Sequence, residues 1–117
     1  QRVLKELFAD AYQKMAAWSR EEELTFLHRI LPRYADQAMV LTLGAVTAEK
    51  LTDQDRQDLI EAFPQLQLAK ETLAQEAGFI LSFGKVDASY LYRDLVDAVR
   101  EEQSFHMAAS IFKEEKN

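Results

Sequence analysis

The chain of 117 residues is one domain by length, and its 48% hydrophobic and 29% charged content lies in the range of ordinary globular proteins rather than disordered ones. It has no cysteine, which excludes thiol catalysis, disulfide stapling and Cys-zinc sites, and its three Gly and two Pro argue against an all-β protein built on tight turns. The net charge of −6 is spread so that no two basic residues are adjacent, so the clustered cations that nucleic acid or an anionic membrane surface needs are not present in the sequence.

The chain opens on Gln1 rather than Met, and no signal-peptide pattern follows. Val3, Leu4, Leu7, Phe8, Ala11, Tyr12 and Met15 recur at helical spacing with no capping residue before them. The expectation is that residues 1–18 are the end of a longer N-terminal helix and that a long, charged helical segment precedes Gln1. Ser19-Arg20-Glu21-Glu22 has the spacing of a capping box and predicts a second helix burying Leu24, Leu27, Ile30, Leu31 and Tyr34. Pro32 should kink or end it, since the ring lacks a donor and clashes with the carbonyl of His28.

Ala38 to Leu43 is a short apolar run closed by Gly44, with the length of a strand covered on both faces. Thr52, with Asp53 and Asp55 behind it, caps a third helix that should bury Leu59, Ile60 and Phe63 and stop at Pro64. Leu66 to Ala69 alternates as a short strand does. Residues 78–88 read as a hairpin with Phe79 and Leu81 on one face, turning at Gly84 through a type I turn and a G1 bulge. Leu91, Leu95 and Val99 mark a fourth helix, Met107, Ile111 and Phe112 a fifth, and residues 113–117 a loose tail. The whole is a single α/β (α+β) domain over residues 1–117: an N-terminal helix pair and a small mixed or antiparallel sheet, flanked by helices.

Patterns that carry chemistry fail on detail. Gly78 to Lys85 resembles a phosphate-binding loop, but five residues separate its glycines and Val86 stands where Ser or Thr must hold magnesium. Asp53 to Asp58 resembles a calcium loop, but Asp58 occupies the glycine position and Pro64 that of the closing glutamate. His28 and His106 have no zinc spacing; His106 is placed to pair with Glu102, four residues earlier. There is no G-x-S-x-G elbow, and Glu101 and Glu102 point in different directions on a helix. No metal, cofactor or catalytic residue is assigned. Four aromatic residues are the candidates for partner contact: Trp18 at the junction of the first two helices, Phe83 at the hairpin tip, and Tyr90 and Tyr92 flanking the start of the fourth helix. For Phe83, contact with a partner and local packing both stay open.

The order helix, acidic-capped helix, short strand, helix, then Gly78-Phe79-Ile80-Leu81-Ser82-Phe83-Gly84-Lys85-Val86-Asp87 resembles the C-terminal globular domain of the E-type stalk polypeptide of V-type (A/V-type) ATPases and ATP synthases. Tyr92-Arg93-Asp94-Leu95 fills the place of that family's Phe-x-x-Leu-like pattern, and Ala108 to Phe112 resembles its short final helix. Leu4-x-x-Leu7-Phe8 and the Ser19-x-Glu21-Glu22 cap also fit, so the similarity covers almost the whole chain. Ala77 replaces the first Gly of the family's pair, Phe83 a small turn residue, and Ser89-Tyr90-Leu91 a polar stretch.

The resemblance implies a non-catalytic peripheral-stalk, or stator, component that keeps the catalytic hexamer from turning with the rotor in ATP-coupled proton or cation transport. It implies a G-like helical partner in the stalk, a B-type subunit of the hexamer as the seat of the head, and a cytoplasmic location at the membrane periphery without insertion. A homodimer through the exposed stripe of the first helix is a further expectation for the isolated chain. The alternatives are a regulator of a flagellar or type III secretion ATPase and a small hydrolase with scattered catalytic residues.

Overall fold

The computed structural model describes the backbone of residues 2–115 and the side chains of residues 5–103. Among these, helix α1 spans Arg2–Ala16 and α2 spans Arg20–Ile30, followed by a 3₁₀ turn over Leu31–Tyr34. Strand β1 is Met39–Leu43, α3 is Ala45–Ala48, α4 is Asp53–Ala62 and β2 is Leu66–Leu68. The hairpin strands are β3, Gly78–Phe83, and β4, Val86–Leu91, and helix α5 runs over Tyr92–Glu115. This is an α+β arrangement.

The capping box predicted at Ser19 forms, and the helix cap predicted at Thr52 proves to be a second one. Ser19 Oγ accepts from the Glu22 N–H while Glu22 reaches back to the Ser19 N–H, and Thr52 does the same with Asp55. Pro32 ends α2 as expected: the helix tightens to 3₁₀ geometry at Leu31. Phe63, before Pro64, leaves helical geometry at φ −126 and ψ 85.

The sheet has the order β2-β1-β3-β4. β1 pairs in parallel with β2, which the α3–α4 crossover returns beside it, and antiparallel with β3. Met39, Leu41, Leu43, Phe79 and Leu81 point to one face and share a core with Leu27, Ile30, Leu31, Leu59, Phe63 and Leu66. Val40, Thr42 and Ile80 point to the other face and are half-buried, beside exposed Asp87 and Ser89. β1 is therefore covered on one face, not both. Ile60 is exposed rather than buried, because α4 meets the core along the face that carries Leu59, with Phe63 joining it just past the helix end.

The hairpin also differs in its turn. Phe83 pairs directly with Val86, leaving Gly84 and Lys85 as a two-residue loop without a bulge. Gly84 has φ +61 and Lys85 has no positive φ, the signature of a type II′ turn, whose twist suits the strands it joins. Helix α5 replaces the two predicted helices. Leu91 is the last strand residue, and the helix continues without a break through the backbone of the predicted tail to Glu115. The side chains of His106, Met107, Ile111 and Phe112 lie outside the described residues.

α1 packs chiefly on α5 rather than on α2. Since α1 runs into the head and α5 runs out of it, the two are antiparallel and project together. The molecule measures 57 × 29 × 21 Å with a radius of gyration of 17.2 Å, against about 13 Å for a compact chain of this length.

Candidate functional site

The projecting pair has an unfilled seam. Leu7, Ala11 and Met15, at i, i+4 and i+8 on α1, line a groove of about 690 Å³ together with Phe8 and with Leu95, Val96 and Val99 on α5. Leu7 and Val99 are 58% and 50% exposed, two of the few large apolar side chains so open among the described residues. Asp10 and Lys14 stand on the rim.

Beneath the groove the pair is fixed to the head by a buried polar joint. Lys50, just past α3, donates from Nζ to the carbonyls of Ala16 and Trp18 at 2.8 and 2.7 Å. These carbonyls end α1 and its turn, where a helix lacks internal donors and a cation meets the negative end of the dipole. The same Nζ lies 3.5 Å from Glu23 Oε2. Glu23, on α2, is fully buried. Its Oε1 accepts a short hydrogen bond from the hydroxyl of Tyr92, the first residue of α5; its Oε2 has the ion pair with Lys50 but no hydrogen bond. Burial, and then the hydrogen bond and charge of Glu23, push the Tyr92 phenol well above the usual tyrosine range.

Neighbouring contacts hold the joint. Arg20, at the start of α2, forms a two-pronged pair with Asp55 at 2.7 and 2.5 Å. Asp55 also receives the Thr52 N–H. The Arg20 guanidinium first, then the Thr52 backbone, hold the Asp55 carboxyl well below the usual carboxylate range. Arg93, on the first turn of α5, clamps both oxygens of Glu76 at 2.9 Å. Gly78 donates its N–H to the buried Thr47 Oγ1 at 2.7 Å, and the Tyr92 N–H bonds the Ala77 carbonyl.

All four aromatic candidates belong to one chain of rings that starts at this joint. Trp18 meets Tyr92 edge-on at 5.1 Å and Phe26 at 5.6 Å. Phe26 continues to Phe79 at 5.7 Å, which stacks on Tyr90 at 5.4 Å. Tyr90 shares a 2.5 Å hydroxyl contact with Tyr34, and Tyr34 stacks on Phe83 at 5.1 Å. Tyr92 is buried, while Trp18, Phe83 and Tyr90 are half-buried. Phe83 does not stand out from the hairpin tip; Tyr34 of the 3₁₀ turn covers it. Phe26 touches four rings of the set, yet nothing in the sequence singles it out. Its spacing beside Leu24 and Leu27 marks a helix face but not which rings lie opposite.

His28 is exposed and lies 6.0 Å from Phe63. The calcium-like run 53–58 is the first turns of α4, and the phosphate-loop-like run 78–85 is β3 and its turn. Among the described residues, no group of three or more His, Asp and Glu side chains is placed to hold a metal ion, and no helix is long and apolar enough to cross a membrane. The arrangement offers a surface for contact, an apolar groove on the projecting helix pair, and a joint that ties this pair to the head. No family model, curated protein or solved structure matches the chain.

Proposed function

We propose that this chain is a peripheral-stalk element of a rotary V/A-type ATPase, a non-catalytic stator that seats on the catalytic hexamer and resists rotor torque. The observation that carries the reading is the joint. α1 enters and α5 leaves the head without a flexible linker, and both are tied to it through Lys50, Glu23 and Tyr92. A stator transmits torque through backbone hydrogen-bond ladders and packed side chains, and a joint of this kind would pass load from the lever into the core.

The groove supports the same reading. Two antiparallel helices with an apolar seam leave the third place of a three-helix bundle open. One amphipathic helix from a G-like stalk partner fits it, its apolar stripe on Leu7, Met15 and Val99 and its flanking charges against Asp10 and Lys14. The head would then rest on a B-type subunit.

Gentle purification of the full-length protein from its source tests this. The reading expects the polypeptides of a rotary ATPase hexamer together with one small helical protein, and loss of the helical protein in a Leu7→Lys/Val99→Lys variant that still folds. A flagellar or secretion ATPase in their place would favour the regulator. Self-association alone would assign the groove to a second copy. Recovery of neither partner, with phosphatase, esterase or nucleotide hydrolysis in the purified chain, would favour the hydrolase.

A further inference from the structure

We infer that Glu23, Lys50 and Tyr92 form an orientation lock, which fixes the direction in which the helix pair leaves the head and whose loss makes the joint a swivel while the head stays folded. The inference concerns this chain's own geometry and holds whichever partner fills the groove. Each member comes from a different element. Glu23 belongs to α2, Lys50 to the turn between α3 and α4, Tyr92 to the start of α5, and the carbonyls of Ala16 and Trp18 close α1 and its turn.

Ring packing alone would leave that direction loose, and the Arg93–Glu76 pair and the Tyr92 N–H bond to Ala77 hold α5 but not α1. The rings of Trp18, Phe26 and Tyr92 attract one another over a range of tilts, and apolar burial is non-directional. Hydrogen bonds weaken steeply away from linearity, so a set that converges from three directions admits one arrangement. The acid is also poorly explained as a source of stability. Glu23 is fully buried with one oxygen lacking a hydrogen bond, and well-packed apolar residues commonly serve as well as a buried charge pair. What such a set adds is a unique geometry. The core residues Leu41, Leu43, Leu59 and Leu81 belong to elements other than those of the three lock residues.

The chain has no native cysteine, so two spin labels can be placed cleanly, at exposed Glu6 on α1 and exposed Glu61 on α4. Glu6 lies about 15 Å along α1 from its end at 1.5 Å per residue, so a swing of roughly 20° moves the label by about 5 Å. The distance distribution by double electron–electron resonance should be narrow and single in the parent chain. In a Glu23→Leu/Lys50→Met/Tyr92→Phe variant that still melts cooperatively, it should broaden or shift by about 5 Å. Tyr92→Phe alone keeps the ring and is read the same way if the triple variant does not fold. A folded variant whose distribution superimposes on the parent's overturns the lock. So does failure of both variants to fold, which would make the set a requirement of the head itself.

Discussion

Lys50→Met isolates the polar joint from the packing around it. The substitution keeps most of the aliphatic volume and removes the ammonium that pairs with Glu23 at 3.5 Å and donates to the Ala16 and Trp18 carbonyls. Removing one partner of a buried ion pair costs about 3–5 kcal/mol, because the other charge is left uncompensated. Lys50 is 23% exposed, so water can reach part of the vacated space, and the lower end, about 3 kcal/mol, is expected. At about 2.1 cal/mol/K of unfolding entropy per residue, this lowers Tm by roughly 12 °C. Trp18, the single tryptophan, lies at the joint, so urea unfolding followed by its fluorescence and by circular dichroism reports joint and fold together. The second half of the prediction reverses the sign. Glu23→Leu added to Lys50→Met should recover part of that loss, since no buried charge remains, and settle about 1–2 kcal/mol below the parent because the buried Tyr92 hydroxyl has lost its acceptor. The reasoning is refuted if Lys50→Met costs less than about 0.5 kcal/mol, the scatter of an ordinary surface change, or if the double variant falls further than the single one.

Other measurements probe neighbouring features. Arg20 and Thr52 hold the Asp55 carboxyl below the usual range, so its contribution is full above the unfolded-state value of about 3.9 and is lost as pH falls through the lower folded value. Asp55→Asn should therefore be less stable than the parent at pH 7, with a shallower loss of stability between about pH 5 and pH 2 by denaturant titration. The raised Tyr92 phenol acts at the other end of the scale: above about pH 10 the unfolded chain releases a proton that the folded chain keeps, so stability falls as pH rises. Tyr92→Phe should make that alkaline limb shallower, leaving the part due to the Tyr90 phenol, which burial also raises, with the slope near neutrality unchanged. Gly78 has φ +104, and a Cβ there would lie 2.4 Å from the Tyr90 carbonyl oxygen, whereas Gly84, at φ +61, has open space around it. Gly84→Ala should cost about 1–2 kcal/mol, the positive-φ penalty alone, and Gly78→Ala visibly more in thermal melts, because backbone must also move.

What can be read from the sequence is what neighbouring residues decide. Ser19 with Glu22 and Thr52 with Asp55 set helix starts within one turn, and Pro32 and Pro64 set the ends, so these features appear where expected. Gly84 marks the hairpin, though pattern does not separate a bulged turn from the two-residue loop that forms. α3, four residues long, has no periodicity to detect. The helix predicted from Leu91 instead begins at Tyr92, because the β4 ladder keeps Leu91 paired with Gly78. The site is largely illegible for a different reason. Glu23 and Tyr92 are 69 positions apart and Lys50 lies between them in another element. Glu23 reads as one of three acids in a first helical turn, and nothing local distinguishes the member that turns inward. The stripe on α1 is visible, but any apolar stripe could be its partner, and only the folded topology brings it against α5. Trp18, Phe83, Tyr90 and Tyr92 stand out singly as contact residues; their joining through Phe26 and Tyr34 is tertiary information.

The proposed stator role requires a stiff lever whose groove would receive a partner helix. Hydrogen exchange on the full-length protein, alone and in its purified complex, tests this most directly. The account predicts that amides of Leu7–Met15 and Leu95–Gln103 slow by at least about tenfold on assembly while those of the core strands β1 and β3 stay unchanged. Unchanged exchange along both helices in a complex that holds the hexamer and the helical protein would contradict it.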